Sequence, residues 1–302
     1  MSPGENRILE LVTMKRDLRS SSGAFPFRLS AEFMGEPAAK RWLIKGVFAK
    51  GESSAWIAPP GGMKSALLAS AAVSVARGSD WFGRRNKGAA GVVYFALERA
   101  DLVERRIRAE MVQLGLDALP IAVVSITFDL VKPESINRVI ATIRDAEACF
   151  GIPVGLAIFD THAKIIAAGG GDENLAKDQG AVFANLQRIK NTIDLHVAII
   201  GHSGKDQARG ARGSNAFLGD VDVMVTISGD EIKTAMVTKA NDAPEGPLFS
   251  FKSTVHEFGT DEDGDPITVN IVSGDDVSES TLTVSGDPKL TPNQRVMFRL
   301  LY

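Results

Sequence analysis

Apolar residues in this chain come in short unbroken runs separated by amphipathic stretches. Residues 54–58, 91–97, 154–159 and 195–201 are continuous β-prone runs, the pattern of strands buried on both faces of a parallel sheet. Residues 121–127 form a further strand candidate. Between them lie helical patterns. One runs from Ser65 to about Arg77 and stops at Gly78 and Ser79. Others span 101–114, 135–150 and 175–193, and the second of these follows Pro133 and places Ile136, Val139, Ile140, Ile143 and Ala146 on one face. From Val221 the pattern switches to alternation over 221–227, 232–239, 248–255 and 267–272, separated by turn signals. These read as antiparallel hairpins extending the sheet. The expected fold is α/β, with a mainly parallel central sheet flanked by helices and C-terminal antiparallel hairpins.

The ends read differently. Residues 1–40 are polar and form an N-terminal arm, with one helix expected around 8–18. Residues 41–272 make the folded domain, and 273–288 are a Ser/Gly/Asp-rich linker. Thr291 looks like an N-cap with Pro292 at the first helical position. A helix that starts so well and stops at Tyr302 suggests that 273–302 are a linker and the start of a truncated helical segment, in a protein that continues into a further small domain.

Composition adds limits. The chain has 302 residues and a net charge of −3, so nucleic-acid binding must come from local patches rather than a global basic field. Its single cysteine, Cys149, excludes an internal disulfide framework and fits a reducing compartment. It lies in an apolar helical pattern and is expected in the core. No apolar run approaches the ~20 residues of a membrane span, and the charged N-terminus has no signal-peptide core. The reading is a soluble cytoplasmic protein without membrane partners.

Candidate chemistry begins where the strand at 54–58 turns into a helix. Ala58-Pro59-Pro60-Gly61-Gly62-Met63-Lys64-Ser65 has the layout of a phosphate-binding P-loop, which turns backbone N–H groups towards an anion at a helix N-terminus. Pro60, Gly61, Gly62, Met63, Lys64, Ser65 and Ala66 form the expected nucleotide-binding turn. Lys64 reaches the β- and γ-phosphates, and the Ser65 hydroxyl ligates Mg²⁺. Ala58 and Met63 stand where the motif has glycine. A methionine there requires negative φ and a side chain turned away from the phosphates. The plainer alternative is a Gly/Pro turn before an ordinary helix.

Glu98 closes the run at 91–97. Ligands of open parallel sheets sit at the strands' carboxyl ends, where a carboxylate can polarise an attacking water. Glu98 also reads as an acid complementing the next helix's dipole. The run at 154–159 ends in Asp160, a Walker B pattern in which the carboxylate holds the Mg²⁺ water shell beside Ser65. His202 ends the run at 195–201 and can sense a γ-phosphate. Residues 205–213 carry Lys205, Arg209 and Arg212 among glycines, a cationic loop. Trp42 is read as packing at a domain edge, with stacking on a base as the alternative. Residues 261–265, Asp-Glu-Asp-Gly-Asp, resemble a calcium loop without its late glutamate, so a hairpin tip is expected.

Taken together, the P-loop, the strand ending at Glu98, the strand ending at Asp160, the strand ending at His202, Arg212-Gly213-Ser214 and the hairpins resemble RecA-fold ATPases. The nearest likeness is to the AAA_25 group, which includes hexameric RepA-type plasmid replicative helicases. The resemblance covers roughly residues 41–255. It implies a RecA-like P-loop NTPase that hydrolyses Mg-ATP, with ATP and Mg²⁺ as cofactors. It implies a homo-oligomer, a hexameric ring, moving on single-stranded DNA. In that family the glutamate corresponding to Glu98 activates water, and that corresponding to Asp160 is the Walker B acid. His202 then couples the γ-phosphate to the DNA-binding loop. Arg212 enters the neighbouring subunit's site as a finger, and Lys239 acts in trans from a later strand. Lys205 and Arg209 would track DNA phosphates in a pore. The other function weighed is an ATP-switched DNA-binding regulator or recombination mediator that does not unwind. The truncated helix fits a winged-helix-like appendage.

Overall fold

A computed structural model describes residues 27, 30, 39–172, 175–202 and 220–274. The described residues from Arg41 onward form one compact unit. Its strands are β1 (Trp42–Ile44), β2 (Phe48–Ala49), β3 (Ser53–Ala58), β4 (Gly91–Ala96), β5 (Ile121–Val124), β6 (Val154–Asp160), β7 (His196–His202), β8 (Val223–Ser228), β9 (Ile232–Ala240), β10 (Gly246–Thr260) and β11 (Pro266–Ser273). Its helices are α1 (Lys64–Arg77), α2 (Ala100–Gln113), α3 (Glu134–Phe150), α4 (His162–Ala167) and α5 (Ala176–Thr192).

Nine strands form one sheet in the order β11-β10-β9-β8-β3-β7-β6-β4-β5. Strands β8, β3, β7, β6, β4 and β5 run parallel, and β9, β10 and β11 join antiparallel. The fold is therefore α/β with a largely parallel centre and C-terminal antiparallel pairs, as the hydrophobic pattern predicts. Every residue of β3, β4 and β6 is buried. Alternate residues serve opposite faces. Trp56, Tyr94, Ile158 and Ile200 pack with α1 and α2. Ile57, Phe95, Phe159 and Ile199 pack with α3, α4 and α5.

The sheet's amino-terminal end is fastened by a polar chain. The Trp56 indole N–H donates to Ser54 Oγ at 2.9 Å, and Ser54 meets His196 Nε2 at 2.8 Å. His196 Nδ1 lies 2.8 Å from the Ala49 carbonyl. A carbonyl only accepts, so Nδ1 carries the proton and Nε2 accepts from the Ser54 hydroxyl. Burial pulls His196 down to about 4, which keeps the ring neutral. β1 and β2 belong to this end: Gly51 N–H donates to the Leu195 carbonyl, and Leu43 covers Gly155 at the start of β6. Trp42 on β1 therefore stands at the end opposite the 59–63 loop, and the base-stacking alternative is set aside.

Cys149 is exposed, which corrects its expected place in the core. The buried stripe of α3 is Ile136, Val139, Ile143 and Ala146. Phe150, against Gly91 and Val154, continues it, so Cys149 falls one position off the stripe. At residues 261–265 the Asp261 carboxylate accepts the N–H groups of Asp263 and Asp265 at 3.0 and 2.9 Å. This is a hairpin tip closed by its own side chain, as expected.

Glu110 on α2 is 8% exposed, and its Oε1 has no hydrogen-bond partner. Burial pushes its carboxyl up to about 8, opposed by a hydrogen bond from Ser70. The unfolded chain releases this proton near 4.5, so the native state binds more protons between the two values and loses stability as pH rises through them. Glu110→Gln does not titrate. Thermal melts from pH 4.5 to 8 should show the variant gaining on the parent by at most about 1.4 kcal/mol per pH unit. A gap independent of pH would disprove this account of Glu110.

Candidate functional site

β3 ends at Ala58 and α1 begins at Lys64, so residues 59–63 make the whole turn. Gly62 N–H donates to the Pro59 carbonyl at 3.0 Å. A Cβ on Gly62 would stand 2.5 Å from the Ala58 methyl and 3.0 Å from the Pro59 oxygen, so position 62 admits no side chain. The expected pattern has a glycine at 58. Here the methyl of Ala58 is accommodated because position 62 lacks one. Gly62→Ala should cost about 1–3 kcal/mol by overpacking. Adding Ala58→Gly should recover part of that loss, with a coupling of about 0.5 kcal/mol or more in a double-mutant cycle of denaturation midpoints. Strict additivity would contradict the shared space.

Met63 overturns the expectation of negative φ. It is left-handed, with φ 62° and ψ 17°, the conformation that glycine adopts without penalty. Its side chain does turn aside, packing against the cluster that includes α1. The motif's backbone handedness is thus kept by a residue other than glycine.

The turn delivers α1 with a bare N-terminus. Met63 offers no side-chain cap, and the first turn contains no acid. The first N–H groups of a helix have no partner within it, and with the macrodipole they suit an anion. The cation Lys64 stands there, 6% exposed. Its Nζ donates to the carbonyls of Ala58 at 2.8 Å and Pro59 at 3.1 Å, and lies 3.5 Å from His202 Nδ1. Burial pulls Lys64 down to about 8, while Asp160 and Glu98 hold it up. At neutral pH it remains mainly charged.

The carboxyl ends of β4 and β6 supply the rest. Leu97 N–H donates to the Asp160 carbonyl at 2.8 Å, tying the two ends together. Asp160 is 5% exposed. Its Oδ2 accepts the Tyr94 hydroxyl at 2.9 Å, and its carboxyl also hydrogen-bonds the Ser65 side chain. Burial pushes Asp160 above the usual carboxylate range. Ser65 and Tyr94 oppose this, Glu98 adds to it, and Arg106 opposes it. Burial and the adjacent Asp160 push the Tyr94 phenol well up, so it acts as a donor. Ser65 and Asp160 provide a hydroxyl and a carboxylate, the hard oxygen donors that Mg²⁺ takes beside phosphates. Glu98 is exposed and accepts the Thr161 hydroxyl at 3.2 Å. It sits within electrostatic reach of both Lys64 and Asp160.

The sequence-predicted residues Lys64, Ser65, Glu98, Asp160 and His202 thus meet at one edge of the sheet. Pro60 and Gly61 are exposed on the turn, while Ala66 is buried under it. Lys239 is not brought to this edge. Its strand partner is Met224, which pairs in turn with Ala55, three residues before the end of β3. Its Nζ donates to the Val221 carbonyl. Lys205, Arg209 and Arg212 lie outside the described residues, as do the predicted helices at 8–18 and near the C-terminus. Tyr94, Thr161 and Arg106 were not legible in advance. The one signal for Tyr94 is a hydroxyl inside an otherwise apolar run, and for Thr161 its place directly after Asp160.

A family model described as an AAA domain, AAA_25, matches residues 20–208. The chain belongs to this family, within the P-loop NTPase superfamily. No curated protein matches it. Among the described residues, no helix is long and apolar enough to cross a membrane.

Proposed function

We propose that this chain is an oligomeric motor that hydrolyses Mg-ATP and acts on single-stranded DNA, in the manner of a replicative helicase. The observation that carries the reading is the uncapped N-terminus of α1, with Lys64 inside the turn and the Ser65–Asp160 pair beside it. The turn's N–H groups and Lys64 bind and orient the β- and γ-phosphates. Ser65 and Asp160 hold Mg²⁺, which when bound neutralises charge on those phosphates. Glu98, outside the buried cluster, takes the proton of the attacking water.

The motor reading adds His202. It lies 3.5 Å from Lys64 Nζ and directly precedes the residues carrying Lys205, Arg209 and Arg212. A γ-phosphate engaging Lys64 therefore acts on the start of a cationic segment. Lys205 and Arg209 bind DNA phosphates, with strong salt dependence. Arg212 and Lys239 act across a subunit boundary, so an isolated subunit has little turnover.

The test is ATP turnover by the purified protein with and without single-stranded DNA, alongside its mass by light scattering. DNA-stimulated turnover in a hexamer-sized species supports the motor. ATP-dependent DNA binding without strand displacement on a forked duplex replaces it with an ATP-switched regulator. Failure to bind Mg-ATP removes the nucleotide reading altogether.

A further inference from the structure

We propose that Tyr94 is a positioning residue that holds Asp160 in its cation-binding orientation. The inference rests on the nucleotide reading above and adds a residue to it. Tyr94 is fully buried on β4, paired with Ile158 two residues before Asp160 on the neighbouring strand. Tyr94 and Asp160 share the face that packs with α1 and α2. From there its hydroxyl reaches Asp160 Oδ2 at 2.9 Å and the Ser65 carbonyl at 3.5 Å.

A carboxylate on a strand end can rotate about its side-chain bonds. Here the phenol O–H occupies Oδ2, and the Ser65 side chain bonds the same carboxyl group. The two contacts restrain rotation of the group. The α2 residue Arg106 supports this arrangement. Its Nε donates to the Asn270 carbonyl at 3.2 Å on β11, and its charge acts on both Tyr94 and Asp160. A phenyl ring would fill the same core volume, so packing alone does not account for the hydroxyl. Partners that orient a metal-ligating carboxylate typically change metal affinity by about 10–100-fold.

The experiment measures binding of a fluorescent ATP analogue while Mg²⁺ is titrated from a chelated baseline. In Tyr94→Phe, the Mg²⁺ concentration giving half of the metal-dependent enhancement should rise about tenfold or more. An unchanged Mg²⁺ midpoint in folded Tyr94→Phe overturns the role. A parent protein that binds no nucleotide, or binds it without Mg²⁺ enhancement, overturns the nucleotide reading instead.

A second readout keeps the Tyr94 hydroxyl in place. The chain has two tyrosines, Tyr94 and Tyr302. With fluorotyrosine at both, and Tyr302→Phe to assign the lines, the ¹⁹F resonance of Tyr94 should shift when Mg²⁺ is added to the nucleotide-bound protein. A Tyr94 line that stays in place overturns the proposal.

Discussion

Glu98→Gln is expected to bind Mg-ATP as the parent does and to turn it over about 10²–10⁴-fold more slowly, the usual contribution of a positioned general base. The argument is one of placement. Glu98 stays exposed at the end of β4 while Asp160, on the neighbouring strand end, is buried. The two carboxyls are close enough for Glu98 to push Asp160 upward, yet only the exposed one meets solvent. On the proposed mechanism, environment divides the labour, with the buried carboxyl serving the cation and the exposed one the water. Glutamine keeps the shape and the acceptor for Thr161 but cannot take a proton. Pre-steady-state turnover and analogue binding on the same preparation check both halves, and an unaltered kcat would take Glu98 out of the base role.

Lys64→Ala should lose turnover by about 10²–10³-fold or more, because the phosphate charge loses its fixed partner. The folded state should not suffer in proportion. Lys64 is a buried cation that burial pulls down to about 8, so its charged form is disfavoured in the native protein relative to the unfolded chain. Between about 8 and 10.5 the unfolded chain binds the extra proton, and parent stability rises with pH across that window. The alanine variant lacks this dependence. A melting temperature at neutral pH equal to or above the parent's, together with lost turnover, separates chemistry from unfolding. Normal turnover would sink the assignment of the turn.

The strands were legible because burial on both faces leaves little room for polar residues. The runs at 91–97 and 154–159 contain no charged residue. Glu98, Asp160 and His202 each follow or end a run, and Lys64 and Ser65 follow the turn after another, so parallel strands, which gather their ends at one edge, bring the five together. β1, β2 and α4 were not, since 3, 2 and 6 residues hold too little periodicity. Tyr94 was hidden by its own ring, which reads as apolar in a strand. Cys149 was misplaced because a helix stripe drifts, and one residue of drift turns a side chain from sheet to solvent. Met63 departs from the expected negative φ because the turn, rather than the residue's own preference, sets its handedness.

The exchange between Ala58 and Gly62 has a consequence for how such loops are found in other genomes. Patterns of letters ask for glycine at two fixed places, and this loop has it at neither. What its backbone requires is room at one contact, which Gly62 gives, and left-handedness at one residue, which Met63 itself adopts. A search framed in side-chain volume and handedness would gather loops like this one, and the degenerate members of such families would prove fewer than their spelling suggests.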